Sequence, residues 1–237
     1  MNESLTERSE ESGLQISVIP INQTDSFYNI QAEYPQFEEV NAVFNKEISD
    51  LILGEIKSFK KQAKDNWDAR NATLLPGETP LANPPSPFDF IASWTPTQMN
   101  KKYISFSVNI YYFAGGAHGI TEIDTFNYDV AKEADITIND FLDDSPQALQ
   151  KLSQIAAQRV TSQLQSNSVE INDVLTQMIQ QGTQPTTDNY RNFNFNYNSL
   201  TVYFQQYQVA PGYLGPVTVV LYKNTLEDNS IRSYYLD

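Results

Sequence analysis

The chain has 237 residues, 40% of them hydrophobic and 12% aromatic, enough to bury a core and too many for a disordered polymer. With no cysteine, one histidine and a formal charge of −14, it excludes disulfides, thiolate metal sites and cysteine nucleophiles, and it disfavours nucleic acid as a partner. No apolar run reaches the roughly 18–20 residues that a membrane-spanning helix needs.

Residues 1–13, MNESLTERSEESG, are polar and acidic; they read as a flexible tether and lack the apolar centre of an export signal. LQISVIPI places Leu14, Ile16 and Val18 on one face and is expected to end at Pro20. FYNIQAEY repeats the alternation through Tyr28, Ile30, Ala32 and Tyr34 until Pro35. Turn chemistry in NQTDS makes these two runs a hairpin.

Val40, Phe44, Ile48, Leu51, Ile52, Ile56, Phe59 and Ala63 then hold an apolar stripe at helical spacing. Glu38 and Glu39 stand at its start, while Lys57, Lys60, Lys61 and Lys64 mark its expected end, in keeping with the helix dipole. Residues 66–87, NWDARNATLLPGETPLANPPSP, read as a long loop. Trp67, Leu74 and Leu75 within it are candidate binding anchors.

FDFIASW and KKYISFSVNIYYFA are the next strands. Ile104, Phe106, Val108, Ile110 and Tyr112 alternate with Ser105, Ser107 and Asn109, the pattern of a strand buried on one face. GGAHG follows, and ITEIDTFNYDV resumes an extended pattern. Ser145 and Pro146 open a helix with Leu149, Leu152, Ala156, Val160 and Leu164 inward. A shorter helix is expected near 169–181, with Ile171, Val174, Leu175 and Met178 inward and Gly182 closing it. FNFNY, LTVYF, PVTVVLY and IRSYYL read as four closing strands. The order predicts an α+β fold of mostly antiparallel sheets, with one long helix in the first half and two helices in the second.

The chemistry-bearing residues are few. His118 lacks the Gly-x-Ser-x-Gly elbow of a hydrolase triad, and no Gly-Lys-Ser/Thr follows the glycines. A single histidine makes a zinc hydrolase improbable, and Asp140, Asp143 and Asp144 lack the spacing of a calcium loop. A glycosidase needs two facing carboxylates; His118 with Asp124 or Asp129, near Glu122, is the catalytic alternative. No metal and no cofactor are expected.

YYFAGGAHG, followed much later by TVYFQQYQVAPGYLGPVTVVLY, resembles the extracytoplasmic domain shared by RsiV-type anti-sigma factors and PdaC-type peptidoglycan deacetylases. The motif residues here are Gly115, Gly116, Ala117, His118 and Gly119, then Ala210, Pro211, Gly215 and Pro216. The hairpin ending AEYPQF and the helix bearing Asn45 also match that family's first half. The resemblance implies two adjacent halves, residues 14–119 and 120–237, packed as one unit outside the cytoplasm, in the periplasm or at the cell surface. An anchor preceding residue 1 would be their link to a membrane.

In RsiV the resemblance implies lysozyme binding; in PdaC the module accompanies a separate catalytic domain. The expectation is therefore a non-catalytic module that senses or sequesters a cationic protein such as lysozyme, or a peptidoglycan fragment. The acidic balance would steer a basic partner toward it, or would serve only solubility. Tyr213, in APGYLGP, joins Trp67, Leu74 and Leu75 as an anchor. GGAHG is expected to be a structural turn whose histidine locks neighbouring strands. The alternatives are a cell-wall glycan hydrolase using His118 and a structural lipoprotein domain with no ligand.

Overall fold

The computed structural model describes residues 13–75, 77–142 and 146–236. The tether over 1–12, Asp143, Asp144 and the Ser145 cap lie outside the described residues. The chain divides into two compact units. One comprises residues up to Trp94 with Val108–Thr121; the other comprises Thr95–Ser107 with the chain from Glu122 onward.

In the first unit, strand β1 (Ile16–Thr24) pairs antiparallel with β2 (Tyr28–Phe37). The hairpin turns on Asp25, whose Oδ1 accepts from the backbone N–H groups of Phe27 and Tyr28, each at 2.8 Å. Both strands run past the prolines expected to stop them. Pro20 lies on β1, the edge strand, opposite Glu33, where a missing N–H costs a ladder little. Pro35 stands beyond the last pairing of β2 with β3 (Phe88–Met99), Ala32 with Ala92.

That second pairing is parallel, so the chain must cross over between β2 and β3. Helix α1 (Ala42–Ala72) makes the crossover, packing against β2. Asn41 caps it by accepting from Val43 N–H at 2.8 Å. Phe44, Ile48, Ile52, Ile56, Phe59, Ala63 and Trp67 form its buried stripe. The lysines expected at the helix end are internal: Lys61 pairs with Asp65 and Lys64 with Asp68, one turn on. The helix therefore continues a further turn and more into the segment read as a loop.

Asn45 fastens this helix to the hairpin. Its Oδ1 accepts from Phe37 N–H at 2.9 Å and its Nδ2 donates to Phe37 C=O at 2.7 Å. Asn45→Ala removes both half-buried bonds and is expected to lower stability by about 2 kcal/mol, read as a shift in the urea midpoint.

Strand β4 (Tyr103–Phe113) contributes residues to both units, as does β3. In the second unit β5 (Ile120–Asp129) pairs with the short β6 (Ala134–Asp135). Helices α2 (Ile138–Phe141), α3 (Pro146–Ser166) and α4 (Asp173–Gly182) follow. Asp140 serves α2 as half of a capping box with Thr137. The chain then forms an antiparallel sheet of β7 (Phe193–Asn196), β8 (Ser199–Phe204) and β9 (Val217–Tyr222).

Leu200, Val202 and Phe204 face Leu221, Val219 and Val217 across the β8–β9 register, and all six are buried with α3 in one apolar core. Within α4, Leu175 and Ile179 face inward and Val174 is 68% exposed, so the expected face is rotated. IRSYYL is not a strand: α5 (Lys223–Asp228) ends before it, and residues 234–236 form a 3-10 turn. The fold is α+β, with a mixed sheet and a wholly antiparallel one.

Ser105 and Ser107 were expected on a solvent face, yet both are buried, at 0% and 3% exposure. Ser105 Oγ donates to Asn127 Oδ1 at 2.7 Å and accepts from Phe195 N–H at 3.0 Å. Asn127 Nδ2 donates to Phe193 C=O at 2.7 Å, and Asn194 Nδ2 donates to Phe106 C=O at 2.9 Å. These bonds satisfy the Ser105 hydroxyl in the second unit's interior, which is what permits serine there, while Asn194 Oδ1 is buried and meets no donor.

Candidate functional site

The glycine turn closes β4 in the first unit. Gly116 has a φ of +114°, a left-handed backbone that side chains other than glycine rarely adopt. Gly119 lies under the outer end of the exposed Tyr111 ring, 2.4 Å from where a Cβ would stand. Asn66, on α1, donates from Nδ2 to Ala114 C=O at 2.8 Å and so pins the turn to the helix. Ala117 and His118 are exposed, and His118 Nδ1 lies 2.9 Å from the Gly119 carbonyl oxygen.

Beside the turn is a cleft of about 470 Å³. Trp67 and Arg70 of α1 form one wall, Pro84 and its neighbours another, Phe88 and Phe113 the floor, and Gly115 and Gly116 the rim. The rings are in mutual contact, Trp67 with Phe88 at 6.4 Å and Phe88 with Phe113 at 6.3 Å between centroids. The Arg70 guanidinium sits 4.9 Å from the centre of the Trp67 ring. Asn71 Nδ2 donates to Leu81 C=O at 3.1 Å, tying the proline-rich segment to the helix.

Trp67 is thus a helical residue, 5% exposed, and not the loop anchor expected. The signal was present, since 59, 63 and 67 continue the stripe at steps of four. Leu74 is half-buried and Leu75 is 69% exposed, both past the helix end. Phe88, Phe113 and Arg70 were missed as cleft residues, because strand pairing and the helix extension bring them together.

The second motif is a tight loop in the second unit. Ala210 is buried, and residues 212–214 form a 3-10 turn in which Leu214 N–H reaches Pro211 C=O at 3.0 Å. Gln206 Nε2 donates to Gly212 C=O at 2.7 Å, and the Tyr207 ring covers Gly212 so closely that a Cβ would meet it at 2.0 Å. Gly215, φ +71°, turns the chain toward half-buried Pro216 and β9. Leu214 packs on the core while Tyr213, between these fixed points, is 79% exposed.

The candidate carboxylates Asp124 and Asp129 lie in the second unit, and His118 in the first. Asp129 is 4% exposed; its Oδ1 accepts from Ala131 and Lys132 N–H, and its Oδ2 lies 3.2 Å from Lys132 Nζ. That carboxylate builds a turn. Burial raises the Asp124 carboxyl above its ordinary value, the Glu122 charge raises it further, and Arg191 partly opposes both.

A raised carboxyl binds its proton more tightly when folded, so stability falls as pH climbs from 3.8 through the folded value. Asp124→Asn is expected to flatten that fall and to raise the melting temperature at neutral pH. Thermal melts across pH 3–8 check this. Among the described residues, no three His, Asp or Glu side chains gather where they could hold a metal ion. No described helix is long and apolar enough to cross a membrane.

A mixed-sheet module followed by a helical segment and an antiparallel sheet defines a two-module α+β protein whose motif residues form two loops. Residues 21–121 match the family model described as deacetylase PdaC, and residues 139–224 match that of DUF3298, a protein family of unknown function. The two matches follow one another along the chain and together support a PdaC-like two-domain organisation.

The chain is 28% identical over 210 residues to the peptidoglycan-N-acetylmuramic acid deacetylase PdaC of Bacillus subtilis (strain 168). That match covers 89% of this chain and 40% of the relative, so the chain spans two-fifths of the relative's length. A DUF3298 family structure from Bacteroides fragilis NCTC 9343 aligns with a TM-score of 0.58 at 15% identity, over 91% of this chain and 93% of that one. Another from Pseudomonas aeruginosa PAO1 aligns at 0.56 and 12% identity, over 90% and 93%. These two share the fold.

Proposed function

We propose that the chain is a non-catalytic extracytoplasmic binding module that senses or sequesters a cationic protein, with a lysozyme as the partner to test. Tyr213 carries the reading. An apolar ring exposed to 79% gains nothing for folding, yet the backbone on both sides of it is held by hydrogen bonds, close packing and a half-buried leucine that packs on the core. A rigid, protruding tyrosine loses little entropy on docking and buries a large area, the properties of an interface anchor. The charge of −14 supports a basic partner by steering its approach.

The Bacillus subtilis relative is named for peptidoglycan, which keeps a cell-wall fragment as the other ligand of the same class of reading. Gel filtration of the chain mixed with a basic lysozyme, and separately with soluble peptidoglycan fragments, at about 0.15 M salt discriminates them. Co-elution with lysozyme alone supports the proposal. Retention of the fragments alone would transfer it to glycan, and no complex with either would sink it.

A further inference from the structure

We infer that the cleft between α1, the proline-rich segment and the glycine turn is a binding site for a small apolar molecule carrying one carboxylate. The inference stands on the first unit alone and is independent of Tyr213. The cleft's size, about 470 Å³, falls within the range of small-molecule sites, roughly 300–1,000 Å³. Its floor and walls are aromatic rings and prolines, which favour an apolar body that leaves water. Two pins hold the walls apart without a ligand: Asn66 to Ala114 C=O, and Asn71 to Leu81 C=O. The rim at Gly116 is open, with no atom within 4 Å of where a Cβ would stand.

The polar groups of this cleft set the ligand's charge. Arg70 has no carboxylate partner among the described residues, in a chain with nearly twice as many acidic as basic side chains. Its observed partner is the Trp67 ring, a contact that uses no acceptor of the guanidinium N–H groups and leaves those groups to donate elsewhere. The Trp67 indole N–H, on the same wall, is buried and meets no acceptor. A guanidinium with donors to spare beside an apolar floor calls for an acceptor on an apolar scaffold. A carboxylate accepts both prongs of a guanidinium, and a ligand cation would be repelled by it. A multiply charged anion would meet the chain's overall negative field and an apolar floor, so one charge fits best.

N-acetyl-L-phenylalanine, its uncharged amide and acetate are the probes, titrated into the whole chain and followed by tryptophan fluorescence and by broadening of the ligand's proton resonances. The acid is expected to saturate, the amide to bind about ten-fold more weakly, and acetate to give no saturable signal over the same range. Arg70 is an exposed helical residue, so Arg70→Gln should leave the thermal melt unchanged while acid and amide bind alike. Equal binding of acid and amide to the unaltered chain would overturn the inference. So would an acid preference that survives Arg70→Gln, acetate binding as tightly as the acid, or no saturable binding at all.

Discussion

Gly182→Ala is expected to destabilise the second unit by about 3 kcal/mol, although alanine is the better helix former. The position ends α4, and its φ is not left-handed, so backbone freedom is not the reason for glycine. Space is. A Cβ there would stand 2.1 Å from the Gln208 carbonyl oxygen and 2.7 Å from a Val209 methyl. Val209 is fully buried, and Gln208 is tied by its side chain to Gly182 C=O at 3.0 Å and Asn189 C=O at 3.1 Å. The obstructing atom is backbone fixed on both sides, so relief requires the segment 205–209 to move off the helix. Urea unfolding measures the loss; a change below about 1 kcal/mol would show that this packing is loose.

Tyr213→Ala should weaken lysozyme binding about 100-fold while leaving the melting temperature where it was. The two readouts separate because the ring contributes little to folding at 79% exposure, whereas its neighbours hold the loop without it. Tyr213→Phe keeps the apolar area and should retain most of the affinity. Isothermal titration of the three proteins at one salt concentration decides it. Equal affinities would remove Tyr213 as the anchor, and a lowered melting temperature would make its role structural.

Much of the fold was legible because apolar periodicity is local. The stripe from Phe44 to Ala63 announced α1, and the alternation in LTVYF and PVTVVLY announced β8 and β9. What misled was local stop signals whose meaning is set by distant chain. Pro20 and Pro35 end strands only where a neighbour needs their N–H, and neither position has one in need. The lysine cluster resembled a helix end because Asp65 stood at the edge of the segment assigned to a loop and Asp68 within it.

Ser105 and Ser107 looked solvent-facing because alternation cannot reveal that Asn127 and Asn194 arrive to meet the Ser105 hydroxyl and Tyr203 to meet that of Ser107. Of the candidate sites, Tyr213 was readable as an aromatic among glycines and prolines, a loop by composition. The cleft was not: Phe88, Phe113 and Arg70 lie far apart in sequence, and only the parallel β2–β3 crossing and the full length of α1 gather them.

The most direct test of a binding module is calorimetric titration of the unaltered chain with a basic lysozyme, at low ionic strength and again at about 0.15 M salt. A contact anchored by a buried ring predicts saturable one-to-one binding that weakens with salt but persists at the higher concentration. Heat that vanishes at 0.15 M salt would mean charge attraction alone and would contradict it.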